Sequence, residues 1–388
     1  MKNRFLVQLI VITFLIFSCN SDDDSTPNIT EEEVGGDSIS SVDTKLLDQI
    51  KKAGDLFMNS ELWNGYNLKD YPLYLVHKNK EGKIDGGILI NPQSNIDGAK
   101  KLNDQESAGL KAYRYDNDAD RAYAAITDPD EGNGLYDFDF EIDGNGYYIQ
   151  VYKDEEAIAG ENIATYPGGF FDPSKEVIGS IDFIIHENFH TYQDSWNSNK
   201  NISKTKISDR NNRIPTEVLE LKILLHQIFK DFPNGSFDQA SLEKKLKQYL
   251  AIATALGVNN FEPITETMEG SARYIERMAV REIFPKRSNE PFIPGTVLED
   301  DYGITNQETL SMVFDFALTY EIGASVCYAL NVVDADALKR IENRENLLEI
   351  IRNKYNLNAQ ELAQYLEQSK NDTDWAAIQA KAQEFSQL

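Results

Sequence analysis

The sequence predicts an α+β protein in which a β-rich N-terminal part is followed by a mostly helical part. Residues 71–77, 86–90 and 147–152 are rich in Tyr, Val and Ile, with Gly, Asn and Asp between the runs, the composition of strands and hairpins. From Pro173 onward apolar residues recur at intervals of three and four, the helical period. Strands first and helices after, with no repeat at solenoid period, is the pattern of an α+β chain. The 388 residues, 41% hydrophobic and 11% aromatic, suffice for one large or two ordinary domains with a sizeable core.

The elements follow in order. Lys2 and Arg4 precede an apolar run over 5–17 that is too short for a comfortable membrane span, so 1–18 reads as a signal peptide. Its end, Leu15-Ile16-Phe17-Ser18-Cys19, resembles a bacterial lipobox, which implies cleavage before Cys19 and acylation of its thiol. Asn20-Ser21-Asp22-Asp23-Asp24 resembles the acidic signals that send some lipoproteins of Gram-negative bacteria to the cell surface, which implies an outer-membrane lipoprotein tied by Cys19. The other reading is an ordinary secretory leader with a chance Cys. Residues 19–44 are polar and acidic, with Glu31-Glu32-Glu33 and Gly35-Gly36, and read as a disordered stalk. With Cys19 lipidated, Cys327 stands alone and no intrachain disulfide is expected. Its neighbours Ala324, Val326, Tyr328 and Leu330 make it a small buried apolar residue.

Residues 45–172 form the β-rich part, opened by a helix on Leu46, Leu47, Ile50, Ala53, Leu56 and Phe57 and closed by an edge strand near 164–171. Asp116, Asp118 and Asp120 alternate like the start of a calcium loop. Position six is Arg121 and position twelve Thr127, where such a loop needs Gly and Glu, so a solvated turn is expected. Residues 173–388 form the helical part, with helices expected at 173–196, 215–230, 239–256, 263–283, 307–330, 335–354, 359–369 and 373–386. The balance of 38 Lys and Arg against 64 Asp and Glu, a formal net charge of -26, repels phosphate backbones and excludes nucleic acid as a partner. Anionic lipid is repelled too, so the expected membrane tie is the lipid on Cys19.

The chemistry concentrates in His186-Glu187-Asn188-Phe189-His190. On a helix, positions i and i+4 project from one face, so two imidazoles can converge on one ion. Glu187 stands beside the first ligand, where a carboxylate can take a proton from a water on the metal. Asp172 suits an N-cap and Pro173 a first helical residue, while Val177, Ile178, Ile181, Ile184, Ile185 and Phe189 supply an apolar face. One catalytic Zn²⁺ is expected, with a third protein ligand still to be found. No third His follows at short spacing, and His77 and His226 read as structural. A carboxylate is the better candidate.

Two further segments carry a resemblance. Glu269-Gly270-Ser271-Ala272-Arg273-Tyr274 resembles the Glu-Gly-x-Ala-x-Tyr segment of the aminopeptidase N family and related gluzincins, and Tyr320-Glu321-Ile322-Gly323-Ala324 resembles its Tyr-Glu-x-Gly-Ala segment. The resemblance implies a zincin-like fold. It makes Glu269 the third zinc ligand and Tyr320 a hydrogen-bond donor to the oxyanion of the tetrahedral intermediate. Glu161-Asn162 resembles the end of the family's Gly-x-Met-Glu-Asn signature, which makes Glu161 the holder of a substrate's free amine. In the family the third ligand follows the second His closely, whereas here the expected helices 215–230 and 239–256 intervene. Glu266 and Glu276 share the helical face of Glu269 and stay open as ligands, and Gln193 is open as a partner of the second His. The expected function is a zinc-dependent metallopeptidase acting on extracellular peptides or proteins. The alternative is a surface lipoprotein that binds peptide or glycan and keeps a non-catalytic metal site.

Overall fold

The computed structural model describes residues 39–59, 62–127, 139–161, 179–196, 213–233, 237–257, 260–293, 295–300 and 302–388. The signal peptide, Cys19, the stalk up to residue 38, the edge strand expected at 164–171 and the helix start at Asp172 and Pro173 lie outside the described residues. The fold is mixed α+β, with a six-stranded sheet N-terminal to a helical part.

Helix α1 (Ser41–Asn59) begins earlier than expected, inside the stretch assigned to the stalk. The physical reason is a reciprocal cap: the Ser40 amide donates to Asp43 Oδ2 at 2.9 Å and the Asp43 amide to Ser40 Oγ at 3.1 Å. Asp43 is buried and accepts the Tyr152 hydroxyl at 2.5 Å, so this acidic residue belongs to the core.

The sheet comprises β1 (Leu73–Lys78), β2 (Ile84–Ile90), β3 (Lys100–Lys101), β4 (Ala112–Arg114), β5 (Asp139–Ile142) and β6 (Asn145–Tyr152), in the order β3-β4-β2-β1-β6-β5. Strand β1 pairs antiparallel with β2 and parallel with β6. Residues 73–77 of β1 are buried without a break; since side chains alternate across a strand, both faces of the sheet are covered there. Helices α2 (Ala119–Thr127) and α3 (Asp154–Ala159) are short and acidic at their starts. The Asp116–Asp120 stretch leads into α2 with two of its carboxylates engaged: Asp116 meets Arg114 at 2.6 Å, and Asp118 meets Arg121 at 2.9 Å and the Tyr115 hydroxyl at 2.6 Å.

The helical part comprises α4 (Ser180–Gln193), α5 (Thr216–Phe229), α6 (Gln239–Leu256), α7 (Pro263–Ile283), α8 (Gln307–Ser311), α9 (Leu318–Val333), α10 (Ala337–Glu342), α11 (Leu347–Tyr355), α12 (Ala359–Asn371) and α13 (Trp375–Phe385). A π-helical segment, Met312–Ala317, joins α8 to α9. The run Gln307–Val333 is long and apolar enough to cross a membrane, but 78% of its most apolar window is buried inside the protein, as in a core helix. The single helix expected over 335–354 is two, because Arg344 takes a left-handed φ of 63° and Asn346 caps the next helix through the Glu349 amide.

Contact density divides the chain into two compact units. One takes the described residues of Met1–Ala164, Asp172–Asn188 and Glu282–Arg287; the other takes those of Phe189–Arg281 and Ser288–Leu388. Helix α4 contributes to both.

Candidate metal centre

Helix α4 is fixed at several points along its length. Ile181, Ile184, Ile185 and Phe189 are fully buried, so an apolar face holds the helix in the core. In its first turn, Asp182 receives a two-pronged ion pair from Arg287, at 2.6 and 2.9 Å, and Arg287 also donates to the Gly160 carbonyl at 3.0 Å. Both side chains are buried, and the two parallel N–H···O bonds are the geometry that suits guanidinium and carboxylate best. Within the motif, Asn188 accepts the Tyr66 hydroxyl at 3.0 Å.

This anchoring presents His186, Glu187 and His190 together. One ligand atom from each lies within 4.8 Å of the others, the one such group among the described residues. His186 and Glu187 are buried and His190 is half-buried.

Glu269, on α7, meets this group through His190: its Oε2 lies 3.3 Å from His190 Nε2, and its side chain is wholly buried. That distance permits a direct test of fit. Two ligands about 2.0–2.2 Å from a tetrahedral zinc stand roughly 3.4 Å apart, so the nitrogen and oxygen are spaced as neighbouring corners of one coordination shell. The donor set, imidazoles with a carboxylate, is also one zinc accepts. His190 Nδ1 faces Gln193 Oε1 at 2.6 Å, and Gln193 Nε2 donates to the Met268 carbonyl and to Ser271 Oγ, each at 2.8 Å.

The other candidate ligands have other partners. Glu266 accepts the Tyr249 hydroxyl at 2.6 Å in a fully buried setting, and burial pushes its carboxyl up to about 8. Glu276 takes Arg273 Nη1 on both oxygens at 2.6 Å. His226 is buried, and burial, aided by the charge of Lys230, holds its ring down at about 3, a neutral imidazole contacting Gln227 and Tyr302. His77 stands between Asp85 at 2.9 Å and Asp154 at 2.8 Å, with its ring stacked on Tyr152.

The two glycines of the family-like segments meet each other. A Cβ built on Gly270 would lie 2.5 Å from Gly323 Cα, and one on Gly323 would lie 2.4 Å from the Glu266 carbonyl oxygen. Helices α7 and α9 therefore touch backbone to backbone at this crossing, with Glu269 beside it on one helix and Tyr320 a turn before it on the other. Tyr320 is buried, with the Arg273 guanidinium 5.9 Å from its ring centroid. Arg273 is one helical turn on from Glu269. Glu161 ends the first unit's α3 region in an ion pair with Lys45 at 3.3 Å, an ammonium like the group the resemblance would have it hold. Cys327 is buried and burial raises its thiol well above the usual range, as befits an apolar core residue.

Sequence alone does not single out Ser271, Asp182 or Arg287 as support for the site, nor Arg273 as the partner of Glu276. For Arg273 a signal existed, its spacing of three from Glu276. For Arg287, distant in sequence from Asp182, none did. No family model, no curated protein and no solved structure matches this chain.

Proposed function

We propose that this protein is a zinc-dependent metallopeptidase of gluzincin type, with a zincin-like catalytic part. The observation that carries the reading is the 3.3 Å approach of Glu269 Oε2 to His190 Nε2 at the end of a helix whose His186, Glu187 and His190 already form a metal-competent group. His186, His190 and Glu269 would hold the ion. Zinc bound there would bring the pKa of a water toward 7 and polarise a carbonyl oxygen.

The chain's own groups supply the rest. Glu187, next to His186, would take the proton of the attacking water on its carboxylate and return it to the leaving amine. Tyr320 donates its hydroxyl to the oxyanion, an interaction that strengthens as charge develops. The Gly270–Gly323 crossing holds the two helices that carry Glu269 and Tyr320 in close register. The substrates are peptides or proteins. With the lipobox-like Leu15–Cys19 segment, the natural setting is the outer membrane, facing outward, on a lipid carried by Cys19.

Hydrolysis of a diverse peptide library, followed by mass spectrometry, tests this reading. The zinc-loaded protein cleaves; Glu187→Gln retains one equivalent of zinc and loses about 10²–10⁴ in rate. Equal cleavage by the two proteins contradicts the mechanism. Peptides with blocked N-termini separate an endopeptidase from an aminopeptidase that uses Glu161.

A further inference from the structure

We infer that Gln193 is a positioning residue that dictates which nitrogen of His190 faces the metal, and that it ties this choice to the helix carrying Glu269. The inference rests on the metal reading above for its consequence, but its geometry stands alone.

Donors and acceptors fix the orientation of the Gln193 amide. The Met268 carbonyl can only accept, so the group 2.8 Å from it must be the Gln193 amide nitrogen. Ser271 Oγ sends its own hydrogen to the same carbonyl at 3.1 Å and accepts from Gln193 Nε2 at 2.8 Å. Both hydrogens of the amide are thereby spent, and the amide cannot turn over without setting its oxygen against a carbonyl oxygen. Its Oε1 therefore faces His190 Nδ1, at 2.6 Å. An amide oxygen accepts only, so Nδ1 carries a hydrogen whether the ring is neutral or charged. The nitrogen left to coordinate is Nε2, the one that points at Glu269 Oε2.

The three anchors are buried: Gln193 at 1% exposure, Ser271 and Glu269 at 0%. Met268, Glu269 and Ser271 occupy one turn of α7, so the amide that orients His190 is clamped to the turn that bears the third ligand. A His ligand whose other nitrogen donates to a fixed acceptor is held in one tautomer and one ring orientation. Here a neutral side-chain amide serves, held by the carbonyl of the residue before Glu269 and by the hydroxyl two residues after it.

Two variants and two readouts test the inference. In ¹⁵N-labelled protein, long-range proton–nitrogen correlations report where the His190 hydrogen resides. In wild type Nδ1 stays protonated, with or without zinc, and Nε2 is the metal-bound nitrogen. Gln193→Glu keeps an acceptor opposite Nδ1, and with it that pattern, but sets its second oxygen against the Met268 carbonyl and so breaks the clamp to α7; Gln193→Leu loses both. Zinc affinity, measured by competition with a chromophoric chelator, falls about 10–100-fold in Gln193→Leu and by less in Gln193→Glu, whose acceptor still orients the ring. A purely structural role would weaken both variants in step with their melting temperatures, and that result, or a bare Nδ1 in wild type, overturns the inference. Wild type with Nδ1 protonated but no uptake of zinc sinks the metal reading instead and removes the affinity consequence with it.

Discussion

Replacing Gly270 by Ala tests whether the helix crossing beside Glu269 is what seats that ligand. The new Cβ would stand 2.5 Å from Gly323 Cα, 2.6 Å from its carbonyl carbon and 3.0 Å from the Ala324 nitrogen. Carbon atoms in contact rest near 3.5–4.0 Å, so the two helices must part by about 1 Å, and no flexible side chain is there to give way. Overpacking of this kind costs about 1–3 kcal/mol, and backbone against backbone belongs at the upper end. Helix propensity works the other way, since Ala is favoured over Gly by about 1 kcal/mol. The net expectation is a loss of about 2 kcal/mol. For a unit of this size it lowers the melting temperature by about 4–8 °C. Because the displaced residue adjoins Glu269, zinc affinity falls as well, which a calorimetric titration of the metal-free protein reads directly. Gly323→Ala, which meets the Glu266 carbonyl at 2.4 Å, behaves alike. Should Gly270→Ala melt at or above wild type and bind zinc equally well, propensity has won and the crossing does not seat the ligand.

Two further predictions concern buried titratable groups. His77 is pulled two ways: burial opposes its charge, but the bond to Asp85, the field of Asp43 and the bond to Asp154 prevail and push the ring up to about 9. With a folded pKa above the unfolded 6.5, its stabilisation is full below pH 6.5 and is lost as pH rises through 9. The rise corresponds to at most about 3.4 kcal/mol; because Asp85 is 44% exposed, screening reduces it to about 2 kcal/mol. Denaturant midpoints from pH 6 to 10 for wild type and His77→Gln should converge at the alkaline end, and parallel curves would contradict the assignment. Glu266, pushed up to about 8 by burial, is protonated in the fold at pH 7, so its native state loses stability as pH climbs from 4.5 towards 8. Glu266→Gln therefore leaves stability at pH 7 equal or higher and leaves zinc binding intact, whereas Glu269→Gln removes most of the zinc affinity; the reverse order would exchange their roles.

What the sequence made legible follows from what is local. Helix α7 was readable because Pro263 suits a first turn and its apolar residues keep period. The His186–His190 pair was readable because its geometry is set within one helical turn. Strand β3 escaped because it is two exposed lysines, and α3 because Asp154-Glu155-Glu156 reads as a solvated loop until its Ala157 is seen buried. The true start of α1 had a signal, Ser40 three residues before Asp43, which the acidic character of the stretch outweighed. The meeting of Glu269 with His190 was suggested only by the order of motifs; spacing could not supply it, since two helices intervene. The Gln193 bridge and the Arg287–Asp182 anchor depend on which helix packs where, information that no local pattern carries.

In the proposed centre His186, His190 and Glu269 share one ion. Anomalous diffraction at the zinc edge from crystals of the zinc-loaded protein tests it most directly. A single peak is expected beside α4, bonded to both imidazoles through nitrogen and to a Glu269 oxygen at about 2.0–2.2 Å. A peak elsewhere, or one at the two histidines with Glu269 turned away, contradicts it.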